Sequence, residues 1–355
     1  MRVTVLKLGS LFDGIGVFPL AAVNCGITPA WASEIEKAPV SITRRHFPDM
    51  LHLGDITKIS GAEIPPVDVI TFGSPCQDLS QIGTRNGFAG KKSSLFYQAM
   101  RIIEEMRYAT NGRYPAFCIW ENVAGAFSSN DRLDFAAMLR AFTGAEVSVP
   151  PSGWAHAGMV RGGCADTAWR LLDAQYWGEP ALAQRRKRVF VVADFAGQRA
   201  GEVLFKPRTV FPFSSIGGPG GLSATQRGGV PAAQTGRQVP IVRPFSLRRM
   251  RTMAQVGDQK GFCASFGRGG EPFPTLLASV TAPFSFWYEG EERDGFLRVL
   301  TPLECERLMG LPENWTKYGC KNEEISDHAR YRALGNSIAL PCAEYVMAGI
   351  AEVMN

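Results

Sequence analysis

The sequence predicts an α/β chain, a doubly wound, mostly parallel sheet joined to a smaller, loop-rich β module. Short β-rich runs alternate with helical stretches as far as Phe195, which is how a parallel sheet with helices on both faces reads. The texture then changes: SSIGGPGGLSATQRGGVPAAQTGRQVP (214–240) is rich in Gly, Pro, Ser and Thr and reads as long loops. Helical patterning returns at LTPLECERLMG (300–310) and SIALPCAEYVMAGIAEVM (337–354).

In chain order the expected strands are VTVLKLGSLF (3–12), ITPAWASE (27–34), MLHLGD (50–55), VDVITFG (67–73), AFCIWEN (116–122) and RVFVVADF (188–195). Each is a β-branched or aromatic run bounded by turn residues. Between them SLFYQAMRIIEEMRYA (94–109) places Leu95, Ala99, Ile102, Ile103 and Met106 at helical spacing. SSNDRLDFAAMLRAF (128–142) is a second helix, with Ser129 or Asn130 as its N-cap. Short strands and loops over about 197–297 form the second module. The implied division is 1–196 for the larger domain, 197–315 for the second, and 316–355 returning to the first.

A length of 355 residues exceeds most single domains, which fits that division. Apolar runs fall short of the ~20 residues needed to span a bilayer, and MRVTVLKLGSLFDG lacks the apolar core of a signal peptide. The expectation is a soluble, cytoplasmic protein with no membrane partner. The eight cysteines contain no C-x-x-C pair and the four histidines are scattered, so neither a disulfide framework nor a metal site is expected. Eight basic residues and no acid lie between Val203 and Gly257, in a chain of net charge +5. Such a stretch suits either a polyanionic partner or a solvated surface.

In an open parallel sheet, ligands bind beyond the carboxyl ends of the strands. Polar or reactive residues stand at or just past the ends of the first five predicted strands there: Asp13-Gly14-Ile15-Gly16, Glu34, Asp55, Ser74-Pro75-Cys76 and Glu121-Asn122. The glycines of the first let backbone approach a ligand at a helix start, or simply make a turn. An acid after the second strand is placed for ribose hydroxyls and one after the third for an adenine amino group. Either could instead cap a helix. Cys76 is open to two readings, a small buried hydrophobe or a nucleophile needing activation. Glu121 can give or take a proton. On a strand, Gln184, Arg186 and Arg188 share a face, and two arginines aimed at one site can clamp a carbonyl and orient a carboxylate.

The ordered set FDGIG (12–16), GSPCQDLS (73–80), ENV (121–123), QRRKR (184–188), LTPLECERLMGLPENW (300–315) and RALGNSIALP (332–341) resembles the DNA cytosine-5 methyltransferases of bacterial or phage type. The resemblance spans the chain except for 197–297 and keeps the family's motif order. It implies the Rossmann-like fold of S-adenosylmethionine-dependent methyltransferases with a target-recognition domain. It also implies Cys76 as the nucleophile adding to carbon 6 of a flipped cytosine, Glu121 as the acid at ring nitrogen 3, and Arg188 with Arg186 behind it holding the base oxygen and the glutamate. Carbon 5 would then take the methyl of S-adenosylmethionine, leaving S-adenosylhomocysteine, and loss of its proton would expel Cys76.

By the same resemblance, the cofactor residues are Phe12, Asp13, Gly14, Gly16, Glu34, Ile35, Asp55, Ile56, Pro75, Asn336 and Ser337. The implied partner is double-stranded DNA, with Gln81 and Arg85 in a closing loop and Arg248, Arg249, Arg251 and Thr275 in the recognition module. The enzyme is expected to act as a monomer, with a cognate restriction endonuclease as a further partner of the type this family has. The chain departs from the family pattern at Ala183, where Pro is common, and at Lys91-Lys92-Ser93-Ser94, where Arg-Gly is common. It is also longer over 143–167. An RNA-directed relative would carry Cys-Phe-Thr, which is absent, and a catalytically silent regulator would lack Cys76 or Glu121. A nicotinamide dehydrogenase would leave Cys76, Glu121 and Gln184 without a role.

Overall fold

The computed structural model describes residues 5–74, 95–206 and 299–354, the backbone of 241–244, 284–288 and 296–298, and residues 272, 273, 275 and 276. Its main body is one eight-stranded sheet. Five strands run parallel: β1 (Lys7–Leu11), β2 (Thr28–Ser33), β3 (Leu51–His52), β4 (Val69–Phe72) and β5 (Phe117–Val123). Beyond β5 the direction reverses. β8 (Lys187–Asp194) pairs antiparallel with β5, β7 (Asp166–Asp173) with β8, and β6 (Ala157–Arg161) with β7. The strand order is β3-β2-β1-β4-β5-β8-β7-β6.

The central strands are buried on both faces, as in sheets covered by helices on each side. Leu8, Val69, Phe117, Ile119, Phe190 and Val192 join one apolar cluster with α1 (Val17–Asn24), α5 (Ala200–Leu204) and the C-terminal α8 (Leu340–Met354). Leu11, Ile70, Phe72, Trp120, Val189 and Val191 join a second with α3 (Leu95–Ala109) and α4 (Leu133–Thr143). α8 returns beside α1, where Asn24 donates to Glu344 Oε1 at 2.6 Å. Three further helices complete the described body: α2 (Lys37–His46), α6 (Pro302–Leu308) and α7 (Asp327–Asn336). A separate antiparallel sheet joins β9 (Ile241–Pro244), β10 (Phe284–Tyr288) and β11 (Phe296–Val299).

Each of the six expected strands is found, though the third shrinks to two residues. β6 and β7 fall in and after the stretch that reads merely as long, 143–167, and they make the sheet mixed rather than mostly parallel on that side. α4 starts at Leu133, and neither Ser129 nor Asn130 caps it. Both side chains donate instead to the Asp134 carboxylate, and Asn130, Asp131 and Arg132 take positive φ values of 46°, 50° and 73°. Ala200, Val203 and Leu204 sit in the main core, so the packing of the larger body continues past residue 196. Among the described residues no single helix is long and apolar enough to cross a membrane.

Candidate active site

β1 pairs with β2 on one side and β4 on the other, so the strand order changes direction between β1 and β4. This is the switch point at which an open sheet has a crevice beyond its strand ends. The loop after β1 holds Phe12 (φ 54°), Asp13, Gly14 (φ 59°) and Gly16 (φ 78°). Glu34, just past β2, braces it: one carboxylate oxygen accepts from the Gly14 amide at 2.9 Å, the other from Ile35 and Glu36 amides at 2.7 and 2.9 Å. Asp13 Oδ1 accepts from the Ser10 hydroxyl at 2.6 Å, while the buried Oδ2 has no hydrogen-bond partner among the described residues. Burial pushes the Asp13 carboxyl up to about 7; the Ser10 hydroxyl works against this and the nearby Glu34 charge adds to it.

Asp55 caps the short turn Ile56–Lys58, its Oδ1 accepting from the Thr57 amide at 3.0 Å and the Thr57 hydroxyl at 2.9 Å. Those two bonds hold its carboxyl below the ordinary range. Ile35 is exposed and Ile56 buried. A Cβ placed on Gly14 or on Gly54, next to Asp55, would meet no atom within 4 Å. There is thus room beside the backbone after β1 and after β3, in the stretches that also carry Asp13 and Asp55. The orphaned Asp13 oxygen and this open cradle fit a ligand with both hydroxyl and cationic groups, as S-adenosylmethionine has.

Two strand positions away, Glu121 near the end of β5 is 8% exposed. The antiparallel register sets Arg188, at the start of β8, opposite Val123, so the arginine reaches back along β5. Arg188 Nε lies 3.0 Å from Glu121 Oε1, yet among the described residues no donor is aligned with that oxygen for a hydrogen bond. Burial raises the Glu121 pKa, opposed by the charges of Arg188 and then Arg186. A carboxyl in this setting keeps its proton toward higher pH than an ordinary one. Gly73, after β4, is its neighbour: a Cβ there would stand 3.1 Å from Glu121 Oε2.

Gln184, Arg186 and Arg188 do not share one strand face, because β8 begins only at Lys187. Arg186 is fully buried and donates to the carbonyls of Leu276 (2.8 Å), Gly335 (2.8 Å) and Ser337. Burial, with Arg188 beside it, lowers its pKa to about 9. Gln184 is also fully buried, with neither amide atom hydrogen-bonded among the described residues. Asn336 ends α7 and Ser337 follows it, and Arg186 donates to the carbonyls on either side of Asn336, those of Gly335 and Ser337. Thr275 donates its hydroxyl to the Arg185 carbonyl at 2.7 Å, within a short parallel bridge between Gln184 and Phe273. Pro75, Cys76, Gln81, Arg85, Arg248, Arg249 and Arg251 lie outside the described residues. Among the described residues no three His, Cys, Asp or Glu side chains group to hold a metal.

Sequence alone assigns no role to Asn122 or Trp120. Asn122 Nδ2 donates to the Ser74 carbonyl at 3.0 Å, and Trp120 Nε1 to the Ser74 hydroxyl at 3.2 Å. Ser74 is the last described residue before Pro75 and Cys76, so β5 carries the acid and also anchors the start of the cysteine segment. The available signal was an asparagine directly after Glu121 in an otherwise apolar strand. The motif around residues 300–315 is likewise structural. Thr301 and Glu304 form a capping box on α6. Buried Glu306 accepts from the Asn314 and Thr316 amides (2.8 and 2.9 Å), the Thr316 hydroxyl and Arg330.

Comparison with known proteins places the chain among methyltransferases of similar sequence and fold. The chain is 25% identical to a protein of Escherichia phage P1 described as a DNA N-6-adenine-methyltransferase; the match covers 96% of this chain and 60% of that protein's length. It is 22% identical to the Type II methyltransferase M.HhaI of Haemophilus parahaemolyticus, covering 100% of this chain and 97% of that one. The crystal structure of the S. pombe Dnmt2 methyltransferase superposes with a TM-score of 0.62 at 16% identity, covering 99% of each chain, a likeness of fold. The family model for C-5 cytosine-specific DNA methylase matches residues 6–208 and 248–352, and the chain belongs to that family.

Proposed function

We propose that this chain is a sequence-specific DNA methyltransferase that modifies carbon 5 of cytosine, with S-adenosylmethionine as methyl donor. The observation that carries the reading is the buried Glu121–Arg188 pair, with Ser74 tied to the same strand and leading directly to Cys76. Glu34 and Asp55 would take the ribose and adenine of the cofactor, and Asp13 to Gly16 its amino-acid end. When bound, S-adenosylmethionine supplies an electrophilic methyl group.

The chain's own groups prepare the base. Glu121, whose pKa burial raises, gives a proton to ring nitrogen 3 and so makes carbon 6 electrophilic. The Cys76 thiolate adds to carbon 6, giving carbon 5 the electron density it needs. Arg188 holds the glutamate and can donate to the base oxygen with its outer N–H groups. Loss of the carbon 5 proton after methylation expels Cys76 and restores aromaticity. Such attack on the ring face requires the cytosine to leave the duplex stack. Gln81, Arg85, Arg248, Arg249 and Arg251 are proposed DNA contacts. Thr275 is proposed to set the adjoining backbone through its bond to Arg185.

A second reading comes from the name of the phage P1 relative, methylation of the adenine exocyclic amine. Direct transfer to an amine needs no thiol, and Cys76 would then have no task. Incubating the protein with labelled S-adenosylmethionine and mixed-sequence duplex DNA, then digesting to nucleosides, separates the two. Label in 5-methylcytosine supports the proposal, whereas label in N6-methyladenine replaces it with the second reading.

A further inference from the structure

We infer that Trp315 is a positioning residue for the cofactor loop: its indole N–H fixes the Ile15 carbonyl, and so the curve of the Asp13–Gly16 backbone against which the methyl donor binds. This rests on the proposed role of that loop. Trp315 is 6% exposed and 300 positions away in sequence, and its Nε1 donates to Ile15 O at 2.8 Å in a buried bond. One face of the ring lies flat on His46, centroids 3.6 Å apart at 5°, and its edge meets Phe47 at 5.9 Å. His46 Nε2 contacts the Trp315 carbonyl at 2.8 Å; because a carbonyl only accepts, that nitrogen carries the proton.

The donor is rigidly mounted. Glu306 grips the amides of Asn314 and Thr316 on either side of Trp315, and Arg330 of α7 closes on Glu306 at 3.2 Å. The loop it holds is also closely packed at Gly16. Gly16 stands at φ 78°, and a Cβ there would come within 3.0 Å of both Phe47 and Thr43 of the same α2 region that carries His46. Ile15 is therefore held at its carbonyl by the indole N–H, while the next residue, Gly16, lies close to the Phe47 and Thr43 side chains. The far end of α7 is held by Arg186 through Gly335 and Ser337, next to Arg188 and Glu121. One set of buried polar contacts thus sets the cofactor loop and the arginine behind the acid together.

The test replaces the N–H while keeping the ring. In the full-length protein, Trp315→Phe and site-specific replacement of Trp315 by benzothienylalanine, which puts sulfur where the N–H was, are compared with wild type. Titration calorimetry with S-adenosylmethionine and S-adenosylhomocysteine is run beside thermal unfolding without ligand and steady-state kinetics on duplex DNA. Loss of one buried hydrogen bond predicts about tenfold weaker binding of both ligands. KM for S-adenosylmethionine should rise in parallel, with kcat and KM for DNA changed less than about twofold. Wild-type affinity in the benzothienylalanine variant would overturn the inference, as would equal loss in KM for DNA, which marks a general structural defect. Absence of binding by the wild type would instead overturn the reading of the loop as a cofactor site.

Discussion

Arg188 Nε stands 3.0 Å from Glu121 Oε1 without hydrogen-bonding it. The pair results from topology: reversal of β8 against β5 brings a residue that begins one strand to the carboxylate near the end of its neighbour. The arginine's charge opposes the rise in pKa that burial imposes.

Removing the acid should therefore cost chemistry more than binding. Glu121→Gln is expected to lower the single-turnover methylation rate by roughly 10²–10⁴-fold, with DNA and cofactor affinities changed little. Rapid-quench kinetics with pre-formed complex measure this directly.

Arg188→Met removes the largest charge that restrains the Glu121 pKa, so that pKa should rise further. The alkaline limb of the single-turnover pH profile, where Glu121 loses its proton, should move to higher pH while the plateau rate falls. Arg188→Lys, which keeps a charge there, should leave the limb closer to wild type. A limb that stays in place in Arg188→Met would show that another group controls it.

Asp13 gives a pH dependence of opposite character from an ordinary carboxylate. Its folded pKa of about 7 lies above the unfolded value. The folded state thus binds more protons between the two, and this contribution is present below the unfolded pKa and is lost as pH rises through about 7. Urea unfolding midpoints should fall between about pH 4 and pH 7 in wild type relative to Asp13→Asn, in which this component is absent. Parallel pH curves for the two proteins would rule it out.

Arg186 should prove a structural cation. It serves three carbonyls from a fully buried position. Arg186→Met leaves those acceptors without their donors and should cost about 3–5 kcal/mol in urea unfolding. Asn122→Ala, which releases the Ser74 carbonyl, should cost about 1–3 kcal/mol. It should also lower kcat by loosening the start of the cysteine segment, with cofactor affinity unchanged.

The strand alternation and the acids at strand ends were legible because period, burial and turn residues act locally: Glu34, Asp55 and Glu121 stand where the sequence places them. The separate duties of Arg186 and Arg188 were not. A period of two assumes a strand that already runs through both, and the strand instead starts between them, at Lys187. β6 was missed because Gly, Pro and Trp residues in 143–167 mask the alternation, and an edge strand is fixed by tertiary packing as much as by propensity. Asn122 and Trp315 lie inside readable motifs, but their partners Ser74 and Ile15 are 48 and 300 positions away, and no local pattern encodes such a contact.

The claim on which the mechanism turns is the bond between Cys76 and carbon 6, and duplex DNA bearing 5-fluorocytosine at the target position tests it most directly. After methylation no proton remains on carbon 5 to be removed, so the thioether cannot be expelled. Denaturing electrophoresis and mass spectrometry should find a covalent protein–DNA adduct, methylated and mapped to the peptide containing Cys76, and Cys76→Ala should form none. Methylation of ordinary duplex DNA without any adduct on the fluorinated substrate, or an adduct that survives Cys76→Ala, would contradict the account.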